Sequence, residues 1–354
     1  MASGRRTIKD VARLAGVSLG SASRALSGAE NVSEDTIARV QRAAASLRYR
    51  PNHAARSLRS RSTKTIGCMF SDMTNPLYAK LFDMLETRLE REGYMTLISN
   101  TSNQLDRELR SLKLLAERGL DALIVTPAHE RNRELNDLLQ QLPMPYLVLD
   151  RELLVKADTI FFDHAGGLSR VVDHFAELGH KRIGLVTANL KSRPGRRRIA
   201  AFKTAMKAND LKVIDENLVL PPSSMSSAFD DVVRLLSRKD RPTALVVQGT
   251  GVLSSTLNAI SVLGLRIPDD LSLVSIGRAD FIQHHVPAIT TLRVDYERLS
   301  NEIAEHLFER LGNGNGHSTS RKQPPPLRRL FPYVFEERAS TAPPRKVKVF
   351  APAV

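Results

Sequence analysis

The sequence predicts a small all-α helix-turn-helix head at the N-terminus, followed by an α/β core of two Rossmann-like lobes. Short helices joined through a glycine turn fill the first fifty residues. From residue 65 onward, apolar strands alternate with amphipathic helices in two successive series. The net charge of +14 is uneven, because residues 1–65 carry +9 and residues 321–354 carry +6. A basic head on a near-neutral body is the pattern of a nucleic-acid-binding module joined to a second function.

The head is predicted to contain three helices. Thr7 is a suitable N-cap for the first helix, with an acid three residues later, and Gly16 ends that helix in a tight turn. Ser18 then caps a second helix over residues 19–26, and Ser33 caps a third. Two short helices around a glycine turn form the helix-turn-helix motif, whose second helix enters a DNA major groove.

A basic linker over residues 51–64 separates the head from the core. Asn52 is a suitable cap for a short helix that runs to about Leu58. A segment this basic is expected to repel itself and to stay loose until an anionic partner neutralises it.

The core is predicted to form two parallel sheets with right-handed crossovers. The first series has strands over 65–71, 94–99, 121–126 and 146–149, with helices over 77–92, 105–118 and 132–142. The second series begins with a strand over 159–162 and continues with strands over 182–187, 243–248 and 271–276 and helices over 197–208 and 251–263. A cleft between two such lobes is the usual place for a ligand.

Several stretches of the head match one family at fixed spacing. They are residues 7–12 (TIKDVA), 15–18 (AGVS), 23–26 (SRAL), 32–33 (VS), 47–52 (LRYRPN) and 55–58 (ARSL). In these residues the chain resembles the LacI/GalR family of bacterial transcription regulators. The resemblance implies a core like a periplasmic binding protein of type I, in which the chain crosses between the lobes three times.

The resemblance also sets the expected domain boundaries. These are 1–50 for the DNA-binding head, 51–64 for the hinge, 65–162 with 292–326 for the first lobe, 163–291 with 327–342 for the second lobe, and 343–354 for a basic tail. We expect residues 312–326, which are rich in Gly, Asn, Ser and Pro, to form a loop or to be disordered, and the basic tail to be disordered.

Base reading is expected from the second helix of the head. The resemblance makes Leu19 and Gly20 the main specificity positions, and Arg24 has the guanidinium fork that fits a guanine edge. Serine hydroxyls near the helix start suit phosphates, and the resemblance places Leu58 as a wedge in the minor groove. The predicted DNA-binding residues are Thr7, Ser18, Leu19, Gly20, Ser21, Ser23, Arg24, Asn31, Asn52, His53, Ala55, Arg56 and Leu58.

The match is weaker in the effector cleft. The predicted effector-binding residues are Leu77, Tyr78, Asp150, Asp163, Arg198, Thr250 and Arg278. The family usually carries Asn-Asp where this chain has Gly-Thr at 249–250, and Gly-Phe-Asp-Asp where it has Ser-Ile-Gly-Arg at 275–278. Losing these acids removes acceptors for sugar hydroxyls. We therefore expect a carbohydrate-related or anionic effector, such as a sugar acid or phosphate, and the alternative is a cleft that binds nothing.

Other kinds of site are weakly indicated. A Gly-Thr-Gly run at 249–251 is only a partial dinucleotide fingerprint, because its third glycine position holds Ser254. The His284–His285 pair has no partner at metal-ligand spacing. The single cysteine, Cys68, lies in an apolar strand and is expected to be a buried thiol. We expect no metal, no cofactor and no catalytic site.

These patterns together predict a homodimeric regulator, a repressor rather than an activator, that binds a palindromic double-stranded DNA operator. Dimerisation is expected because one short recognition helix contacts too few bases on its own. The N-terminus lacks a secretory pattern and no membrane-spanning run is present, so a cytoplasmic, nucleoid-associated protein is expected. The alternative is a two-lobed solute-binding protein or enzyme with an accessory nucleic-acid anchor.

Overall fold

The computed structural model describes residues 6–27, 31–49, 62–188, 190–277, 282, 284–312 and 325–345. The chain divides after Thr63 into two compact units, which are treated separately below. Six predicted site residues lie outside the described residues, namely Asn52, His53, Ala55, Arg56, Leu58 and Arg278.

The head contains the three predicted helices, which are α1 (Ile8–Ala15), α2 (Leu19–Ser27) and α3 (Glu34–Ser46). The backbone amide and hydroxyl of Thr7 both donate to Asp10 at 2.9 Å, which fixes the start of α1. Gly16 ends α1 with φ +64°, a left-handed conformation that glycine adopts without strain. The core of the head is built from small side chains, including Val11, Ala12, Ala15, Ala22, Ala25, Val40, Ala43 and Ala44.

The first lobe is a six-stranded sheet flanked by helices. Its elements are β1 (Thr65–Phe70), α4 (Pro76–Glu90), β2 (Met95–Asn100), α5 (Leu105–Glu117), β3 (Ala122–Thr126), α6 (Arg133–Gln140), β4 (Tyr146–Leu149), β5 (Asp158–Phe162), α11 (Tyr296–Gly312) and β11 (Arg328–Phe331). The strand order is β11-β5-β4-β3-β1-β2, and every pair is parallel.

The second lobe is also a six-stranded sheet flanked by helices. Its elements are α7 (His164–Glu177), β6 (Ile183–Val186), α8 (Arg193–Ala208), a 3-10 turn (Asp215–Asn217), β7 (Leu218–Val219), α9 (Phe229–Leu236), β8 (Ala244–Gln248), α10 (Gly251–Val262), β9 (Ser272–Ile276), β10 (Thr290–Arg293) and β12 (Val334–Glu336). The strand order is β12-β10-β9-β8-β6-β7, in which β12 alone runs antiparallel to its neighbour.

Helices α4 and α11 pack together on one face of the first sheet. The predicted leucine stripe of α4 is buried there, since Leu81, Leu85 and Leu89 have no exposed surface and Leu77 is partly buried. Burying such a side chain contributes about 2 kcal/mol. Cys68 lies beneath this layer, and burial raises the pKa of its thiol to about 12. It is the buried strand thiol that the sequence predicts.

The flanks of residues 313–324 meet at one buried carboxylate at the start of β5. Asp158 accepts a hydrogen bond from Arg310 Nη2 at 2.6 Å and another from the backbone amide of Leu327 at 2.7 Å. The end of α11 and the approach to β11 are therefore fixed to the same point of the first sheet. No helix among the described residues is both long and apolar enough to cross a membrane.

The chain passes between the two sheets three times, at residue 163, at residues 294–295 and at residues 332–333. The strand near residue 159 opens the second series in the order of elements, but the expected boundary at residue 162 places it in the first lobe, where it forms β5 of the first sheet. One expectation about the lobes is wrong. The segment after residue 327, predicted to lie wholly in the second lobe, gives β11 to the first sheet before it gives β12 to the second.

Candidate functional site

Helix α2 of the head has one buried face and one solvent face. Ala22 and Ala25 are buried against the other helices, whereas Leu19 is 46% exposed and Arg24 is exposed. A large apolar residue and an arginine on the solvent face of a short helix match a surface that reads base edges. Gly20 lies on the same helix and adds no side chain to it.

The start of α2 is fixed by serine hydroxyls. The backbone amide of Ser21 donates to Ser18 Oγ at 3.0 Å, and the two hydroxyls lie 2.9 Å apart. This cap leaves the positive end of the helix dipole at the surface, where a phosphate is favoured. Thr7 caps α1 through Asp10, and Asn31 is exposed just before α3.

The core has a cavity of about 510 Å³ between its two lobes. Four of the predicted effector residues line it, namely Leu77, Tyr78, Asp150 and Arg198. Two others are not among its lining residues. Asp163 caps α7 by accepting from the amide of Gly166 at 2.9 Å, and the hydroxyl of Thr250 donates to the backbone oxygen of Ser224.

Asp150 is a heavily bonded acid in the cavity. Its carboxylate accepts from the amide of Phe162 at 3.1 Å and from Arg193 Nη1, and lies 3.0 Å from His164 Nε2. Burial alone would raise the pKa of Asp150, but His164, Arg193 and Arg151 hold it well below its usual value. Asp150 therefore stays ionised, with its oxygens already used by protein donors.

Arg151 fixes the first-lobe side of the cavity. Its guanidinium donates to the backbone oxygen of Pro127 at 2.6 Å and to the hydroxyl of Tyr78 at 2.9 Å. The Tyr78 ring stacks on Phe70 with centroids 5.2 Å apart. One face of Tyr78 is thus covered by protein, which limits the stacking on a ligand that its position suggests.

A histidine–tyrosine pair connects two of the crossovers. The hydroxyl of Tyr333 lies 3.2 Å from Nδ1 of His164, whose other nitrogen faces Asp150. Burial lowers the pKa of His164 and raises that of Tyr333 to about 12. Neither group therefore adds a charge at neutral pH.

Arg198 has spare bonding capacity inside the cavity. It is only 7% exposed, and its Nε has no hydrogen-bond partner among the described residues. In the described parts of the chain, no other residue that lines the cavity has a buried side-chain nitrogen or oxygen without a hydrogen-bond partner. A buried N–H without an acceptor is costly, so this atom marks a place where an acceptor on a ligand would be stabilised.

The departure at Gly249 has a steric basis. A Cβ at Gly249 would lie 2.6 Å from the backbone oxygen of Gly277 and 2.8 Å from that of Ile276. The end of β8 is therefore too close to β9 for any side chain at this position. Gln248, which the sequence reasoning missed, lines the cavity instead, and its Oε1 accepts from Thr187 and Ala188 at 3.0 Å.

The sequence reasoning also missed the contacts that join the lobes across the cavity. Glu130 of the first lobe accepts from the amide of Arg193 at 2.8 Å and from Arg196 Nη2 at 2.6 Å. Glu152 accepts from Arg197 at 3.1 Å. The signal was present as an arginine-rich run at 193–198, but the helix was predicted to begin only at residue 197. Pro194 and Gly195 suggest a break, although proline is favoured in the first turn of a helix.

Known protein families match both the head and the core of the chain. Residues 7–52 match the model of bacterial regulatory proteins of the lacI family, and residues 172–341 match the periplasmic binding protein-like domain. The chain is 30% identical over 306 residues to the HTH-type transcriptional repressor PurR of Aliivibrio salmonicida, spanning 86% of this chain and 92% of that one. The chain belongs to the LacI family. It is a DNA-binding regulator of transcription and not an enzyme.

Other members of the family give a similar result. PurR of Photobacterium profundum is 30% identical over 312 residues, with 87% of this chain and 93% of that one covered. The lac repressor dimer bound to operator and the anti-inducer ONPF superimposes with a TM-score of 0.80 at 24% identity, over 95% of this chain and 99% of that one. A LacI family regulator from Enterococcus faecium with bound ribose superimposes with a TM-score of 0.67 at 24% identity, over 79% of this chain and 100% of that one. At these identities the two structures support the fold alone.

Proposed function

We propose that the chain is a homodimeric repressor that binds a palindromic operator and is controlled by a small-molecule effector in the cleft between its lobes. The observation that carries this proposal is the solvent face of α2, which presents Leu19 and Arg24 beside a capped helix start. The PurR relatives are named as repressors, and the related lac repressor is a dimer on its operator. A repressor of this kind acts in the cytoplasm, on the nucleoid.

An exposed sheet edge supports the dimer. Strand β2 ends the first sheet, and it exposes Met95 by 63%, Leu97 by 36% and Ile98 by 40%. Apolar side chains on an unpaired edge strand are unfavourable in water and are usually covered. A second copy of the same edge would cover them and would bring two heads to the two halves of a palindrome.

The cavity supports an effector with an anionic or strongly accepting group. The oxygens of Asp150 are used by protein donors, so a sugar hydroxyl gains little there. The unpaired Nε of Arg198 needs an acceptor instead. A carboxylate or phosphate on a carbohydrate-related ligand supplies one, and charge-assisted hydrogen bonds are the stronger kind.

Operator binding is tested by selecting bound fragments from the host's DNA with the purified full-length protein and sequencing them. We expect a palindromic site whose affinity exceeds that for random DNA by at least about 1,000-fold. Only diffuse, salt-sensitive binding would contradict the proposal, since it would make the head a general DNA anchor.

The effector class is tested by isothermal titration of the full-length protein with gluconate, glucose 6-phosphate, glucose and ribose. We expect a heat of binding with gluconate or glucose 6-phosphate, and an affinity for these anions that is at least about tenfold lower in Arg198→Met. Arg131→Met is the matched control, because Arg131 also lines the cavity but lies at its exposed rim. Tight binding of a neutral sugar, with no response to the anions, would overturn the anionic class.

A further inference from the structure

Helix α3 of the head ends in a left-handed turn, in which Arg48 has φ +50°. The backbone amide of Arg48 donates to the carbonyl oxygen of Ala45 at 3.0 Å, and the amide of Tyr49 donates to that of Ala44 at 2.8 Å. These two bonds form the Schellman motif, whose left-handed position is usually held by glycine. A residue with a Cβ is disfavoured in this conformation, because the Cβ approaches the following carbonyl oxygen.

Other helices of the chain end in the same motif without a long side chain. Their left-handed positions are Gly16 after α1, Gly93 after α4, Gly179 after α7, Gly264 after α10 and Asp210 after α8. Glycine meets no steric penalty there, and aspartate is one of the few other residues that adopt this conformation at single positions. The fold therefore does not require an arginine at the end of α3.

The side chain of Arg48 has no contact within the head that explains its presence. It is exposed, and its guanidinium makes no hydrogen bond or ion pair with another described residue. Lys64 also has a positive φ, but its Nζ lies 4.1 Å from the ring centre of Tyr94 in the core. An unfavourable backbone conformation that is retained without an internal contact is a mark of a functional position. Arg48 therefore points to a partner outside the chain.

The position of Arg48 in the sequence indicates what this partner is. Arg48 precedes the basic linker and lies four residues before Asn52, where the hinge helix predicted for the minor groove begins. Four residues span at most about 14 Å. Duplex DNA carries one negative charge per roughly 1.7 Å of its axis, so a cation held this close to a groove has phosphates within reach.

We propose that Arg48 of each protomer binds a phosphate of the DNA backbone beside the hinge. This inference rests on the proposed function for the presence of DNA at the head. A phosphate contact releases counterions and adds affinity for DNA of any sequence, whereas the base contacts expected from Arg24 add specificity. The left-handed turn fixes this cation at the point where the chain leaves the head.

The test variant is Arg48→Asn, which removes the charge and keeps a residue that tolerates the left-handed conformation. Arg48→Lys keeps both the charge and the disfavoured backbone conformation. The matched control is Arg39→Gln, which removes one charge from the same helix. Arg39 pairs with Asp35 within α3 at 3.1 Å, so its charge already has a partner in the head. All variants are full-length, and circular dichroism checks that they fold.

Fluorescence anisotropy measures binding to the selected operator and to a random duplex of the same length, over a series of salt concentrations. In Arg48→Asn we expect affinity to fall by at least about fivefold on both duplexes, with their ratio unchanged, because a phosphate contact carries no sequence information. The slope of log affinity against log salt should become less steep by about 1 per protomer. Arg48→Lys should keep most of the affinity and the slope, and Arg39→Gln should leave the slope unchanged.

Thermal unfolding of the same proteins separates this role from a structural one. The midpoint of Arg48→Asn should equal or exceed that of the unmodified protein, because a disfavoured residue is removed from the turn. An unchanged salt slope would overturn the proposal, and a lower midpoint with it would assign Arg48 to the stability of α3 through the helix dipole. Because the random duplex reports the phosphate contact by itself, failure to find an operator would count against the proposed function and not against the role of Arg48.

Discussion

At the scale of single residues, Arg24 provides the sharpest test of DNA reading. It lies exposed on α2, so Arg24→Ala should leave the folded head intact. Loss of a bidentate guanine contact costs about 1–3 kcal/mol, and specificity should relax at one base pair of each half-site. Fluorescence anisotropy with the selected operator and its single-base variants measures both effects. Arg39→Ala on α3 is the control, and an equal loss in both variants would indicate a purely electrostatic role.

Gly249 gives a prediction about stability. Gly249→Asn restores a residue that the family usually has, but its Cβ would meet backbone oxygens at 2.6–2.8 Å. Because backbone cannot move aside as a side chain can, we expect a loss of about 1–3 kcal/mol in the free energy of unfolding, measured in urea. Gly312→Ala is the control, since a Cβ there meets nothing within 4 Å. Equal stability of both variants would show that β8 and β9 can separate.

Single residues also show where sequence reasoning fails. The resemblance to the LacI/GalR family placed Tyr78, Asp150 and Arg198 in the cleft, and all three line the cavity. Asp163 and Thr250 were placed by the same logic, yet their oxygens serve a helix cap and a loop. The sequence indicates which residues lie near the cleft. Which hydrogen-bond donor each of their side-chain oxygens accepts from depends on the folded backbone.

At the scale of elements, the C-terminal segment is attached to the second sheet through a buried histidine. His180 Nε2 lies 2.9 Å from the backbone oxygen of Ala342, and Nδ1 lies 2.9 Å from the hydroxyl of Thr243. Burial lowers the pKa of His180 to about 4. The neutral ring is the form that this site stabilises.

This lowered pKa predicts a stability change with pH. The unfolded chain binds the His180 proton below about pH 6.5 and the folded chain only below about pH 4, so stability is complete above pH 6.5 and falls between these values. The loss is about 3 kcal/mol by pH 4. Urea unfolding across this range measures it, and His180→Asn should flatten the profile. An equally steep profile in that variant would assign the change to other groups.

The hinge segment gives a separate prediction. Leu58→Ala should weaken operator binding, because an apolar wedge that kinks the duplex would be lost. Effector binding should change little. Operator titration and effector calorimetry on the same preparation measure the two quantities. Unchanged operator affinity would remove the proposed wedge.

Most elements were predictable because apolar periodicity and caps agree along the chain. The three helices of the head and the strand at 146–149 were found at or near their observed bounds. The start of α8 was placed four residues late, which excluded Arg193 from the predicted site. In a sequence, Pro and Gly can mark either the first turn of a helix or the loop before it. The contact of the Arg193 amide with Glu130 shows that they belong to the helix here.

At the scale of the whole molecule, the proposed dimer makes a prediction. Met95→Glu places a charge on the exposed edge of β2 and should raise the dimer dissociation constant at least about tenfold. Operator affinity should fall in parallel at low protein concentration. Analytical ultracentrifugation measures the first effect. Leu154→Glu is the matched control, because Leu154 is 58% exposed in the same lobe but lies outside β2. A dimer unaffected by Met95→Glu would place the interface elsewhere.

The two-lobed architecture was predictable from strand–helix alternation, but the exchange of segments between lobes was not fully so. Strand β11 has four residues, three of them exposed, and only two residues separate it from β12. Two strands this short show no hydrophobic periodicity from which each could be assigned to a sheet. The pairing of β11 with β5 assigns it to the first sheet, and β5 lies 166 or more residues earlier in the chain.

The carboxylate of Asp158 has a practical consequence for building sensors from this chain. Because it holds both Arg310 and the Leu327 amide, the ends of residues 313–324 are tied to one point of the first sheet. The entropic cost of a longer connection between fixed ends grows only slowly with its length. A fluorescent reporter domain inserted there would therefore be attached through two fixed chain ends and leave the fold of the lobes unchanged.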